Sequence, residues 1–240
     1  MALAAVVFDL DDTLAVTERD RATLLEEATA AVGAPPIARG EYLDAHGRDL
    51  GRETREPIFA ALLDGREEGS DGTASATPAT LATAYREAVE GALAPVPGAA
   101  ALVRELRTEY RVGLLTDGPV AAQEGKLAAL GWADLFEAVV VTGVLDAGKP
   151  DGRAFQAVLD ALGTSAAETV HVGDHPEHDV RGAKAAGLLA VQVLAESDEA
   201  DPAANAAVER DRLAGRLPDV LAGFARAGRE QPSGRETGRR

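Results

Sequence analysis

Two hundred and forty residues, 46% of them hydrophobic, suffice for one large core or for a core domain with a smaller companion. The formal net charge of −16 argues against nucleic acid or an anionic membrane surface as partner, because both select basic surfaces. With no cysteine in the chain there is no disulfide framework, no thiolate zinc site and no cysteine nucleophile.

The longest apolar runs, such as Ala2 to Phe8 and Ala138 to Val141, are strand-sized. They fall far short of the roughly 20 residues of a spanning helix. The first of them opens so close to Met1 that no signal peptide is expected, and a cytoplasmic location is the expectation. Only three lysines occur, Lys126, Lys149 and Lys184, so nearly all cations are arginine. An acidic, lysine-poor, alanine-rich chain resembles the halophilic proteins of salt-saturated cytoplasms, where screening tames self-repulsion. An ordinary acidic protein of a GC-rich genome is the alternative.

In chain order, Leu3–Leu10, Val112–Thr116, Ala138–Val141, Thr169–Val172 and Ala190–Val193 read as buried strands. Helical periodicity fills Ala99–Glu109, Val120–Leu130, Ala154–Leu162 and Val180–Ala186, with Gly131, Gly163 and Gly187 as stops. This alternation predicts an α/β fold with a doubly wound, Rossmann-like parallel sheet, whose ligand sits beyond the carboxyl ends of the strands. Residues 16–94 interrupt it with helices at Arg21–Val32, Arg39–His46, Arg52–Leu63 and Pro78–Leu93 and no convincing strand. The expected organisation is a core from residues 1–15 and 95–226, an inserted helical domain at 16–94 and a disordered tail at 227–240. Within the insert, Gly65–Thr77 reads as a mobile loop, and Pro95–Gly98 as a hinge back to the sheet.

The segment Val6-Val7-Phe8-Asp9-Leu10-Asp11-Asp12-Thr13 runs an apolar strand straight into three acids. Carboxylates gathered at a strand end repel one another unless a cation lies among them, and magnesium suits hard oxygen donors. An acidic turn capping a helix is the alternative reading. A second strand ends in Gly173-Asp174, with Asp179 five residues on. His171, His175 and His178 crowd that segment, but His171 falls inside the strand and only His46 lies elsewhere, so carboxylate-held magnesium is preferred to zinc. Thr116-Asp117-Gly118 places a hydroxyl and a backbone turn at another strand end, both able to donate to phosphate oxygens. Gly148-Lys149-Pro150 sets a lysine in a loop after a strand.

Taken in order, Asp9-x-Asp11-x-Thr13, Thr116, Lys149-Pro150 and Gly173-Asp174 with Asp179 resemble the four motifs of the haloacid dehalogenase-like hydrolase superfamily. The resemblance spans residues 3 to 195, and the insert resembles that family's cap between the first and second motifs. Gln123, Lys126-Leu127, Phe136 and Gly182-Ala183 with Ala186-Gly187 are similar to its phosphatase branches, among them nucleoside monophosphatases and N-acylneuraminate 9-phosphatases.

The resemblance implies a magnesium-dependent phosphatase acting on a small phosphorylated metabolite. Asp9 would be the nucleophile and Asp11 the general acid and base. The metal would be held by the Asp9 side chain, the Asp11 carbonyl and Asp174, with Asp179 orienting a ligand. Thr116 and Lys149 would position and offset the phosphoryl charge, with Asp117 and Gly118 lining the phosphate pocket. Asp117 departs from the asparagine that many relatives carry there. In the insert, Arg48, Arg52 and Arg55 with His46 either meet an anionic substrate or are solvent-facing charges paired with Glu53 and Glu56.

The dehalogenases of the family lack an acid at position 11 and the metal aspartates. Phosphonoacetaldehyde hydrolases need an insert lysine, and none occurs before Gly125. A sugar-phosphate mutase expects a histidine and arginine arrangement that is not clear here. A phosphoaspartate switch or a non-catalytic phosphate-binding protein is the reading from another class, and a stable phosphoprotein would mark it.

Overall fold

The computed structural model describes residues 3–48, 52–64 and 76–230. Its centre is a six-stranded parallel sheet in the order β5-β4-β1-β6-β7-β8. The strands are β1 (Ala5–Phe8), β4 (Arg111–Thr116), β5 (Ala138–Val141), β6 (Thr169–Gly173), β7 (Leu189–Leu194) and β8 (Ala206–Glu209). The chain leaves β1 to build one wing through β4 and β5 and the other through β6 to β8, so the winding reverses beside β1. Ligands of doubly wound sheets bind at such a reversal, beyond the strand ends.

β1 is apolar throughout because both of its faces are covered. Val6 and Phe8 enter one cluster with α5 (Ala99–Leu106) and α9 (Leu213–Glu230). Ala5 and Val7 enter the other with α7 (Gly152–Leu162) and α8 (Gly182–Ala185). α7 starts where the Asp151 carboxylate accepts from the Arg153 amide at 2.9 Å, and it stops at Gly163, whose φ of 61° is left-handed. Among the described residues no helix is long and apolar enough to cross a membrane.

Between β1 and β4 the chain passes through a short antiparallel ribbon, β2 (Ala15–Thr17) with β3 (Leu93–Pro95). The ribbon brackets α1 (Arg21–Val32), α2 (Arg39–His46), α3 (Glu56–Leu63) and α4 (Pro78–Gly91). These four helices pack around their own apolar cluster of Leu24, Leu25, Tyr42, Phe59, Leu81 and Tyr85. The insert docks through its backbone: the Val120 and Ala121 amides, at the start of α6 (Val120–Ala129), donate to the carbonyls of Arg52 and Glu53 at 2.9 and 3.0 Å. Those carbonyls thereby satisfy two of the amides a helix start leaves open.

Four sequence expectations change. Thr17, Leu93 and Ala94 lie in the ribbon, so the inserted segment does contain strand. Arg52 to Thr54 precede α3 and Arg55 is its N-cap, because the Arg52 and Glu53 carbonyls serve α6 while the Arg55 carbonyl accepts from the Phe59 amide at 3.1 Å. β8 was not foreseen. The final helix runs on to Glu230 and takes in Pro218, so residues 227–230 are helical rather than the start of a tail. The loop expectation at residues 65–75 and the tail beyond 230 lie outside the described residues.

Candidate active site

Phe8 stands level with Leu114 on one side and Val172 on the other, so the ends of β1, β4 and β6 meet. Asp9, Thr116 and Asp174 follow from those three ends. After Asp9 the chain turns tightly: the amides of Leu14 and Ala15 both donate to the Leu10 carbonyl at 3.0 Å. Asp12 takes a left-handed φ of 56°, a conformation aspartate tolerates better than most residues. The same turn brings the Thr13 hydroxyl within 3.3 Å of Asp174.

Lys149 Nζ lies 2.7 Å from Asp9 Oδ1 and 2.6 Å from Asp179 Oδ1. It is buried, and three aspartates outweigh its desolvation and hold its pKa above the usual lysine range. Burial pushes Asp9 well above the usual carboxylate range; Lys149 opposes this, and Asp179 and Asp11 reinforce it. Burial, Asp179 and Asp12 raise Asp174 to about 7. Asp179 is also desolvated, yet Lys149 and His171 hold it below the usual range. Two of these acids therefore sit in a place that penalises their charge.

Asp179 is reached through a turn of π-helix at Pro176–Arg181. Its Oδ2 accepts from the His175 amide at 2.9 Å, and Oδ1 also meets His171 Nε2 at 2.9 Å. Burial lowers the His171 pKa, so the ring is neutral and Nε2 carries the proton that Asp179 accepts. His171 lies inside β6 as the sequence suggested, buried and edge-on to Phe155, with a contact to the acid cluster that its strand position did not reveal. Ligand oxygens of Asp9, Asp174 and Asp179 lie within 4.8 Å of one another, the spacing of a cation site. All three donors are hard oxygens, and burial disfavours the charged forms of Asp9 and Asp174, a cost that a cation held among them would offset. The residues fit magnesium.

Thr116 is buried at the end of β4, and its hydroxyl has no partner among the described residues. Asp117 turns one oxygen to the Lys149 amide at 3.0 Å, and Gly118 follows with a φ of 135°. Asp117 and Gly118 line a cavity of about 370 Å³ with His46, Arg52, Gly148 and Arg153. Arg52 is thus at the cavity, paired with Asp146 at 2.5 Å. Arg48 is exposed in the turn after α2 and is not among the residues lining that cavity.

Asp11 has the most crowded set of partners. Lys126 Nζ lies 2.5 Å from its Oδ2, Arg21 Nη2 3.0 Å from Oδ1, and Gln123 Nε2 3.2 Å from Oδ2. Burial alone would raise its pKa, but Lys126 and Arg21 outweigh it and hold Asp11 well below the usual range. Lys126 and Gln123 come from α6 and Arg21 from α1, so the insert and the sheet domain grip one carboxylate together. Sequence reasoning noted Gln123 and Lys126 only as part of a resemblance, and Arg21 carried no signal at all.

With the geometry in view, comparison with known proteins gives a consistent result. A model of the haloacid dehalogenase-like hydrolases matches residues 3–187. The glyceraldehyde 3-phosphate phosphatase of Methanopyrus kandleri is 30% identical over 202 residues, 80% of this chain and 84% of that protein. A phosphoglycolate phosphatase of Cereibacter sphaeroides is 33% identical over 188 residues, 78% of this chain and 83% of its own length. The crystal structure of an HAD phosphatase from Thermococcus onnurineus is similar at a TM-score of 0.68 and 26% identity, covering 92% of this chain and 99% of that one. The chain belongs to the haloacid dehalogenase-like hydrolase family.

Proposed function

We propose that this chain is a cytoplasmic, magnesium-dependent phosphatase that hydrolyses small phosphomonoesters through a phosphoaspartyl intermediate on Asp9. The observation that carries it is the buried contact of Lys149 with Asp9 and Asp179 beside Asp174, at the meeting of three strand ends. The phosphatase class is common to the Methanopyrus and Cereibacter relatives.

Asp9 attacks phosphorus in line and takes the phosphoryl group as the ester P–O bond breaks, and the leaving alkoxide takes a proton from Asp11 in its acid form. Lys149 offsets charge on the transferring oxygens and opposes the burial that raises Asp9, and the Thr116 hydroxyl, without a partner among the described residues, is free to donate to one of those oxygens. Asp9 and Asp174 would hold magnesium, with Asp179 fixing its neighbours. When bound, the ion offsets the negative charge that nucleophile and substrate share.

Asp11 is a carboxylate while Lys126 and Arg21 hold it, which suits the base that activates water against the intermediate. Its acid role needs that grip to loosen as substrate arrives. Because Arg21 belongs to the insert, residues 16–94 act as a cap whose position tunes the acid as well as excluding water.

Phosphate release from p-nitrophenyl phosphate, measured with and without magnesium in molar potassium chloride, tests the reading. Turnover that a chelator abolishes is the expected result. No turnover by well-folded protein would overturn it in favour of a phosphate-binding switch.

Stability offers a second check. Asp174, at about 7 when folded against the ordinary 3.8, makes the folded metal-free protein bind more protons than the unfolded chain between those values. Stability is therefore lost as pH rises from about 4 to about 7. Asp174→Asn escapes that loss, so the metal-free variant at pH 7 is expected to gain about 1–3 kcal/mol and melt about 3–8 °C higher. The variant is also expected to lose the rise in Tm that magnesium gives the wild type. A lower Tm than the wild type without metal would contradict the assignment.

A further inference from the structure

His171 is a histidine set in the middle of β6, where the neighbouring side chains are apolar. It is fully buried and stands level with Val7 on one side and Ala190 on the other, both in the apolar cluster that α7 and α8 cover. Phe155 meets its ring edge-on, with centres 5.3 Å apart. Its Nδ1 is buried with no hydrogen-bond partner among the described residues, whereas Nε2 lies 2.9 Å from Asp179 Oδ1. A proton on Nδ1 would be an orphan donor in apolar surroundings, so the ring keeps its one proton on Nε2. It therefore donates to Asp179 and carries no charge.

That contact completes a cradle. Asp179 Oδ1 accepts from both His171 Nε2 and Lys149 Nζ, at 2.9 and 2.6 Å, and Oδ2 accepts from the His175 amide at 2.9 Å. A Cβ on Gly173 would stand 2.3 Å from Asp179 Cγ, so glycine is what leaves the carboxylate room at the end of β6. Donors on both oxygens and a backbone wall fix the plane of the carboxylate. Lys149 needs such a fixed partner, because an ammonium on a flexible four-carbon stem has no preferred direction of its own. Charge gives the reason for an imidazole. Asp9, Asp174 and Asp179 set against Lys149 leave two negative charges, which one divalent ion balances. An arginine or lysine in place of His171 would fix Asp179 but also neutralise it; a neutral ring fixes it and leaves its charge for the ion.

We propose that His171 is a positioning residue: its hydrogen bond holds Asp179 in place, and through Asp179 it aims the Lys149 ammonium at Asp9 and preserves the magnesium site. The inference rests on the phosphatase reading for its effect on rate, and deepens it by giving a core histidine a part in the chemistry. Because the role runs through the carboxylate, it depends on an N–H at the Nε2 position and not on the ring. Glutamine places its amide nitrogen near that position and asparagine places it near that of Nδ1. Leucine, close to histidine in volume, offers no donor.

The test compares the wild type with His171→Leu, His171→Gln and His171→Asn in two measurements. Calorimetric titration with magnesium alone should give a dissociation constant about 10-fold weaker in His171→Leu. Hydrolysis of p-nitrophenyl phosphate at saturating magnesium should show kcat lower by about 10- to 100-fold, with KM changed by less than about threefold. His171→Gln should recover most of both losses, and His171→Asn should not. A role confined to packing would lower Tm and leave both constants of the folded protein unchanged. That result would overturn the proposal, as would equal losses in His171→Gln and His171→Leu. Should His171→Leu fail to fold, the nitrogen chemical shifts of the wild-type ring decide: the Nε2–H tautomer is expected at neutral pH, and the Nδ1–H tautomer counts against the proposal. If the wild type hydrolyses no p-nitrophenyl phosphate, the phosphatase reading falls, while magnesium affinity and the ring tautomer still judge the role of His171.

Discussion

Asp9→Asn is expected to lower phosphate release by about 10,000-fold or more, to the level set by binding and electrostatics alone. The substitution keeps the shape of the side chain and the backbone contact of the Asp9 amide with the Val172 carbonyl at 2.9 Å. It removes the oxygen nucleophile. An amide cannot form the acyl phosphate, and its oxygen can still accept from Lys149 but no longer offers that ammonium an opposite charge. Because burial pushes the Asp9 carboxyl upward, its replacement by a neutral amide removes a destabilising charge rather than a supporting one. The variant should therefore be at least as stable as the wild type while being inactive. Acid-quenched wild type incubated with radiolabelled substrate should carry a base-labile label that the variant lacks. A variant that kept a tenth of the wild-type rate would exclude Asp9 as the nucleophile.

The parts of the fold legible in the sequence are those whose signal is local. β1, β4, β6 and β7 are covered on both faces, so their residues form apolar runs that stand out from the helices between them; β5 is an edge strand with Val139 exposed, yet its four residues are still an unbroken apolar run. β8 is an edge strand in which Val208 is the one buried residue, and Ala206 to Glu209 has no apolar run to notice. The ribbon strands β2 and β3 have three residues each, too few for alternation to register. The start of α3 was misplaced for a different reason: Arg52 and Glu53 look helical, but their carbonyls are claimed by the start of α6, a partner far along the chain.

The candidate site divides in the same way. Asp9, Thr116 and Asp174 stand at strand ends, where a change from apolar to polar residues marks them, and Lys149, in the loop between β5 and α7, is marked by being one of three lysines in the chain. The grip on Asp11 joins residues 10, 112 and 115 positions away, and no local pattern encodes it. Arg55 was seen among several insert arginines, but its burial against Tyr42 and Tyr85 depends on how four helices pack. Arg48, which is near it in sequence, ends up exposed. Composition places charge in a segment; only tertiary packing decides which charge is buried.

Lys149→Met is the second change expected to act strongly, and on stability as well as on rate. Lys149 is the cation between Asp9 and Asp179, and its backbone amide also serves Asp117. Removing the ammonium leaves two buried carboxylates facing each other, a loss of about 3–5 kcal/mol for breaking a buried pair from one side. The metal-free variant should answer by taking up a proton. Asp9 would take it, since burial already raises that group while Asp179 keeps its bonds to His171 and the His175 amide. Protonating Asp9 disarms the nucleophile, so the rate should fall by about 1,000-fold or more from that cause together with lost phosphoryl stabilisation. The variant should be more stable at pH 5 than at pH 7, because the compensating proton is lost as pH rises through the raised pKa of Asp9. Magnesium should raise its Tm more than it raises that of the wild type, since the ion would then be the only cation left among Asp9, Asp174 and Asp179. Melting curves at pH 5 and pH 7, each with and without magnesium, measure all of this. A variant whose Tm matched the wild type in all four conditions would mean that Lys149 does not neutralise the cluster, and the charge balance on which the mechanism depends would have to come from elsewhere.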